Sequence, residues 1–484
     1  MASEPLTARR RGGSEIVAQA LERWNALSGS ARFFILLAAA ATVPLLISND
    51  YVIRIAGNVC LFATLAVALN VVVGYAGLLD LGFIAFYGIG AYTYAILSSD
   101  QFGIHWPSWA SLIFIGLIGL VFGLLLGSPS LRLLGDYLAI VTLGFGLVFA
   151  QLALTLDRVE LPWREGTVNI TGGTNGIVKL DPLNFFGFQL SNVTHYFYAL
   201  LIWLAIVLII VHRLNQSRIG RAWRSMGEDA LAAESMGMPT RRLKLLAFSC
   251  GSAIAGITGG IFAAWQQSVF PQNFSTDVLI TLYAMMVLGG ISNLGGAVLG
   301  ACVLAIAPEL LRSPELSRLI FYSALGLGLL LLMKPRRNGL IVLVSVIGLG
   351  VLLRLIVQAA APDLLSPPTI RVAAASVSTA LDRFSQQFGI YVQSWILVLK
   401  EPLLPGNIAF VVMIPALLAL SRMKPGRLKF GLTIPAIYLL IFVWETRLAA
   451  EPAVTRLLLI GGLLVILMIF RPNGLLGRRK VEIV

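Results

Sequence analysis

Fourteen mostly apolar runs, each long or nearly long enough to cross a lipid bilayer, decide what this chain can become. A spanning helix needs about 20 predominantly apolar residues, and only a helix or a closed barrel satisfies its own backbone in hydrocarbon. The runs fall near residues 33–48, 54–73, 82–98, 108–127, 137–156, 195–213, 244–265, 275–291, 296–312, 317–334, 339–357, 405–421, 430–446 and 453–470. They leave little sequence to cover a water-facing surface. Only 12% of the 484 residues are charged, against about 25% in an ordinary soluble domain. The expected fold class is all-α: a polytopic transmembrane helical bundle of about ten core spans and about four extra C-terminal spans. Runs 82–98 and 275–291 are short or interrupted by glycine and are candidates for broken helices.

Charge placement gives the orientation. Basic clusters lie at Arg9, Arg10, Arg11, Arg23 and Arg32, between Arg213 and Lys244, at Lys334, Arg336 and Arg337, from Arg422 to Lys429, and from Arg471 to Lys480. With fourteen alternating spans these all fall on one side, which the positive-inside rule makes the cytoplasm, so both termini are expected there. The longest hydrophilic loop on the other side, 157–194, carries three basic and four acidic residues, a net of −1. The net charge of +13 therefore reads as membrane topology. Nucleic acid is not an expected partner, since no nucleic-acid motif accompanies the basic clusters. Residues 1–32 lack the apolar core of a secretory signal and read as a cytoplasmic tail whose stretch from Ile16 to Leu27 forms a surface amphipathic helix.

Several chemistries have no residues to carry them. No G-x-x-x-x-G-K-[ST] loop occurs, and no lysine follows a glycine, so the chain is not a P-loop ATPase. There is no GxSxG, HExxH or Cys/His cluster for hydrolysis. Cys60, Cys250 and Cys302 lie far apart inside apolar runs, and His105, His195 and His212 have no metal-ligand spacing. No enzymatic activity, metal or cofactor is expected.

Three stretches stand out. From Asn70 to Gly90 the chain combines Gly74, Gly77, Gly82, Gly88 and Gly90 with Tyr75 and a lone acid, Asp80. The glycines permit close packing or a helix break. Asp80 reads equally as a functional ionisable group at membrane depth or as a helix cap near the interface. Weakly polar residues in neighbouring spans, Thr93, Thr142 and Ser249, join Asn70 as candidate pathway residues, although most such groups in a bundle only bond their own backbone.

The second stretch lies in the loop after the sixth run. Glu228 to Met236 is expected to be a short helix, with Glu228 and Asp229 in its first turn, a small-residue face at Ala232 and Ala233 followed by Glu234, and a stop at Gly237 and Pro239. A plain surface connector and a docking helix both fit this pattern. The third is the turn-rich run Thr171, Gly172, Gly173, Thr174, Asn175 and Gly176 in the 157–194 loop, either an ordinary loop or a surface for an external partner.

Five segments, in order along nearly the whole chain, resemble the LivM-type permease of the branched-chain amino acid ABC importers. They are Gly74–Gly82 with Ala91–Tyr94, Gly135–Gly146, Thr171–Gly176, the loop helix from Glu228 through Ala232, Ala233 and Gly237, and Phe470–Leu476. The resemblance implies a transport subunit without ATPase activity of its own, in a bacterial inner membrane. Its implied partners are two cytoplasmic ATPase subunits, a second LivH-like permease and a periplasmic substrate-binding protein. It further implies that Glu228, Asp229, Ala232, Ala233, Glu234 and Gly237 form a coupling helix, and that residues 171–176 meet the binding protein. The chain departs from the family after Gly146, where Leu147, Val148, Phe149 and Ala150 replace a run that often carries charge.

The expected organisation is a tail (1–32), a core permease domain (33–338, coupling helix 228–237), an inserted segment (339–451) and a final span with a basic tail (452–484). The insertion follows from an internal echo: Pro335, Asn338, Gly339 and Leu340 reappear as Pro472, Asn473, Gly474 and Leu475. Branched-chain or other neutral amino acids are the expected solutes. Urea or short amides, and an ion-gradient-driven transporter, are the alternatives; the second would need acids or unwound half-helices at the midplane.

Overall fold

In a computed structural model, the structure describes residues 29–47, 49–130, 136–160, 167–185, 187–312, 314–332, 336–360, 380–423 and 426–450, with short pieces between 461 and 477. The expected N-terminal amphipathic helix and nearly all of the final span lie outside the described residues.

The fold is a helical bundle. Its helices are α1 (Gly29–Ala41), α2 (Val43–Leu46), α3 (Asp50–Leu69), α4 (Phe83–Leu97), α5 (Ser108–Ser130), α6 (Asp136–Thr155), α7 (Val193–Gln216), α8 (Arg218–Glu228), α9 (Ala230–Ser235), α10 (Thr240–Gln266), α11 (Thr276–Gly289), α12 (Leu294–Leu310), α13 (Pro314–Leu332), α14 (Arg336–Ala360), α15 (Ala380–Trp395), α16 (Leu403–Arg422) and α17 (Arg427–Ala450). Among the described residues, eight helices are long and apolar enough to cross a membrane, and four shorter apolar helices accompany them. The polytopic all-α reading of the sequence holds. Runs 82–98 and 275–291, expected to be broken, are each one continuous helix (α4 and α11), and the break in the glycine-rich stretch 70–90 falls earlier. α3 passes into a π-helix at Asn70–Tyr75, and residues 76–82 then form a non-helical connection before α4.

The helices group into two compact units, residues 1–305 with 467–484, and residues 306–466. In the first, α10 is the central element, packing against α3, α4 and α5. Small residues make this possible: a Cβ on Gly90 would collide with Gly256, and one on Gly259 would collide with the Tyr87 carbonyl oxygen. Lipid gives helices no hydrophobic drive to associate, so such close backbone packing supplies the attraction. The second unit buries Val342, Val346, Val392, Ile396, Ile437 and Ile441. At its heart Glu445, 3% exposed, takes a 3.0 Å bond from Arg318 Nε and one of 3.2 Å from the Tyr322 hydroxyl.

The described strands are pairs of two-residue segments. β1 (Val159–Glu160) pairs with β2 (Thr167–Val168), β3 (Ile177–Val178) with β6 (Ser268–Val269), and β4 (Asn184–Phe185) with β5 (Phe188–Gln189), all antiparallel. They order the long loop between α6 and α7. The β3–β6 pair fastens that loop to the end of α10.

Candidate functional site

The loop between α7 and α10 folds into a small projecting knob. Ser217 opens α8, its hydroxyl accepting from the Ile219 and Gly220 N–H groups at 3.2 and 3.4 Å. Trp223 and Met226 are buried at its base. Asp229 then caps α9 with Oδ1, accepting from Leu231 N–H at 2.9 Å and Ala232 N–H at 3.0 Å. Gly237, at φ +81°, closes the far end, where the Met238 N–H reaches back to the Ala233 carbonyl at 3.1 Å. This left-handed residue is what a glycine after a helix supplies.

Two sequence expectations need adjusting here. The expected helix from Glu228 to Met236 is two elements: Glu228 ends α8, and Asp229 is the cap rather than a first-turn residue. Its side chain competes for the first free N–H groups and so divides the stretch. Nor do the two alanines form one open face, for Ala233 is buried while Ala232 is exposed. What the knob presents instead is apolar: Leu231 is 72% and Met236 82% exposed. The alternation of acids and alanines hid these two residues from sequence reading.

Behind the knob lie most of the expected pathway residues. Asn70 and Tyr75 are buried in the π-helix, with Gly74 between them. Gly77 lies against Gly227, so that a Cβ on it would be 2.9 Å from the Gly227 Cα. Asp80 is 1% exposed; its Oδ1 accepts from the Gly82 N–H at 2.9 Å, and its carbonyl accepts from the Tyr283 hydroxyl at 2.6 Å. The cap-like reading of Asp80 accounts for Oδ1, while Oδ2 has no hydrogen-bond partner among the described residues. Thr142 joins this cluster by accepting from the Leu81 N–H at 3.0 Å. Thr93 does not: it stands further along α4, its hydroxyl donating to the Ile89 carbonyl of its own helix. Ser249 likewise bonds back to Leu245.

The glycine run 171–176 sits at the opposite end of α10, whose 27 residues make it about 40 Å long. Gly172, Gly173 and Gly176 all have positive φ, and Gly173–Asn175 forms a 3₁₀ turn. Side chains there would strike the Gly176 carbonyl, Asp157 or the Val269 carbonyl. Thr171 is buried, and Thr174 and Asn175 are exposed at the tip. Nearby, Tyr94 donates to the Asp181 carbonyl at 2.9 Å and Tyr196 to that of Ala264 at 3.0 Å. His105 Nδ1 lies 2.6 Å from Asp181 Oδ2, and Nε2 lies 3.7 Å from Asp100. The hydrogen bond and charge of Asp181, with Asp100 adding to them, hold the His105 pKa above its ordinary value.

Long apolar helices, with a capped knob at one end of α10 and an ordered loop at the other, define a polytopic membrane protein. Residues 51–333 match the family described as "Branched-chain amino acid transport system / permease component". The chain belongs to this permease family. It is 36% identical to the high-affinity branched-chain amino acid transport system permease protein LivM of Escherichia coli (strain K12), over 63% of this chain and 73% of that one. It is 28% identical to a probable LivM permease of Methanocaldococcus jannaschii, over 50% of this chain and 72% of that one. A probable LivH permease of the same organism is 25% identical over 34% and 52%. No solved structure matches the chain.

Proposed function

We propose that this chain is a membrane-spanning permease subunit of an ABC importer for branched-chain or other neutral amino acids in a bacterial inner membrane. The observation that carries the reading is the knob. A short helix capped by Asp229, ended by Gly237 and tipped with exposed Leu231 and Met236 has the features of a part built to seat in another protein's groove. Exposed apolar side chains on a short polar helix cost solvation unless something covers them.

In this reading the knob faces the cytoplasm and meets one of two ATPase subunits, which supply the hydrolysis. A LivH-like permease completes the pathway. A periplasmic binding protein delivers solute to the end that carries residues 171–176. ATP-driven closure pushes the knob, and packed helices rock as rigid bodies. The π-helix at 70–75 and the non-helical connection 76–82 supply the departure from regular α-helix that such a motion needs next to the knob, with Asn70, Gly74, Tyr75, Gly77, Asp80 and Thr142 grouped there. Selectivity rests mainly with the binding protein.

The test is co-purification with the partners encoded beside it, followed by ATP hydrolysis and uptake in proteoliposomes with a panel of loaded binding proteins. Stimulation by a binding protein carrying leucine, isoleucine or valine is the expected result. Solute movement by the chain alone down an ion gradient would overturn the reading.

A further inference from the structure

The residues from Gly474 to Leu476 come back to the first unit and fasten onto the turn between α11 and α12. The Leu475 N–H donates to the Leu288 carbonyl at 2.8 Å, and the Leu476 N–H to the Gly289 carbonyl at 3.0 Å. Asn293 Nδ2 donates to the Leu476 carbonyl at 2.6 Å, while its Oδ1 accepts from the Gly296 N–H at 3.2 Å. A Cβ on Gly474 would lie 2.6 Å from the Gly290 nitrogen, so the fit is backbone on backbone.

The same turn reaches the π-helix. Ser292 has φ +65°, a conformation that a non-glycine residue adopts rarely and holds only when its surroundings impose it. Here two bonds impose it. The Ser292 N–H donates to Asn70 Oδ1 at 2.9 Å, and its hydroxyl donates to the Gly74 carbonyl at 2.5 Å. The π-helix in turn abuts the knob, since a Cβ on Gly227 would stand 2.9 Å from the Tyr75 carbonyl oxygen, and Gly227 is two residues before the Asp229 cap. Each link is a direct contact inside one compact unit.

We infer that Ser292 and Asn293, braced by residues 474–476, are positioning residues for coupling: they hold the π-helix at 70–75 as a firm backstop behind the knob. Without that brace a push on α9 is absorbed by yielding backbone and not passed to the spans. The inference rests on the reading of α9 as the coupling helix.

Two mild variants test it in the assembled importer in nanodiscs. Asn293→Asp keeps the Oδ1 acceptor for Gly296 but loses the donor to Leu476. Ser292→Ala keeps the N–H to Asn70 but loses the bond to Gly74. Hydrogen–deuterium exchange is read over residues 70–77 and 226–236, with 171–176 as the distant control. Exchange about fivefold faster at both near segments is expected, the factor that losing one hydrogen bond of ordinary net strength gives a local opening. Solute imported per ATP hydrolysed is expected to fall by a similar factor with the complex intact. Faster exchange confined to 288–296 and 474–476 would overturn the inference. If exchange spreads to 226–236 but solute per ATP is unchanged, the coupling reading of α9 fails and the positioning role with it, and the exchange data separate this failure from the first.

Discussion

The indole N–H of Trp223 donates to the Leu243 carbonyl oxygen at 2.8 Å, joining α8 to the first turn of α10. Trp223 is 1% exposed and forms the buried floor of the knob. The packed ring and its hydrogen bond thus anchor the base of the knob to the start of α10. Trp223→Phe, which keeps most of the ring but removes this one bond, should cost about 1 kcal/mol. Its expected outcome is a lower melting temperature of the complex and reduced uptake, both measured on purified protein.

Asp229→Ala should remove the cap of α9 and cost about 1 kcal/mol locally. With only six residues, α9 has little other support, so the variant is expected to assemble into a complex whose ATPase subunits hydrolyse ATP with poor uptake. Asp229→Asn and Asp229→Ser should restore coupling in the same proteoliposome assay, because both side chains accept from the same N–H groups.

Gly237→Arg should act from the other end of α9. Open space surrounds the position, so the cost comes from a left-handed backbone, about 1–2 kcal/mol for an L-residue, and from bulk at the docking surface. Folding by circular dichroism should survive while uptake per ATP drops. Normal transport by this variant would argue against the knob as the contact with the ATPase.

The His105 cluster should make its loop pH-sensitive. The folded pKa is raised by Asp181 and Asp100, so the stabilisation is fully present below the unfolded value of about 6.5 and is lost as pH rises through the folded one. Amide exchange over residues 98–106 and 178–182 should therefore quicken between acidic and alkaline buffer, beyond the intrinsic base dependence. His105→Gln should remove that excess.

In the second unit, Glu445→Ala should destabilise by about 3–5 kcal/mol, because it leaves the Arg318 charge buried without its partner. The double variant Arg318→Met with Glu445→Leu should recover most of the loss. Thermal unfolding in detergent measures both.

The sequence was a good guide wherever apolar length decides the outcome. Each expected span that falls on described residues coincides with a helix, because hydrocarbon leaves the backbone no other arrangement. Glycine and proline also placed the stop at Gly237 and the turn at 171–176 correctly as local breaks. What could not be read was anything set by contact between distant residues. The split at Asp229 depends on which N–H groups its carboxylate captures, and the exposure of Leu231 and Met236 on how Ala233 packs inward. The π-helix at 70–75 is tied to Ser292, more than two hundred residues away (222 apart from Asn70). No local periodicity announces such a partner.

The fastening at 474–476 has a consequence for how the protein is made. The carbonyls of Leu288 and Gly289 receive their donors only from residues that leave the ribosome after the whole of 306–466. The first unit therefore cannot reach its finished state until residues 474–476 have been made. Any nascent chain stalled within 306–466 carries an unlatched first unit.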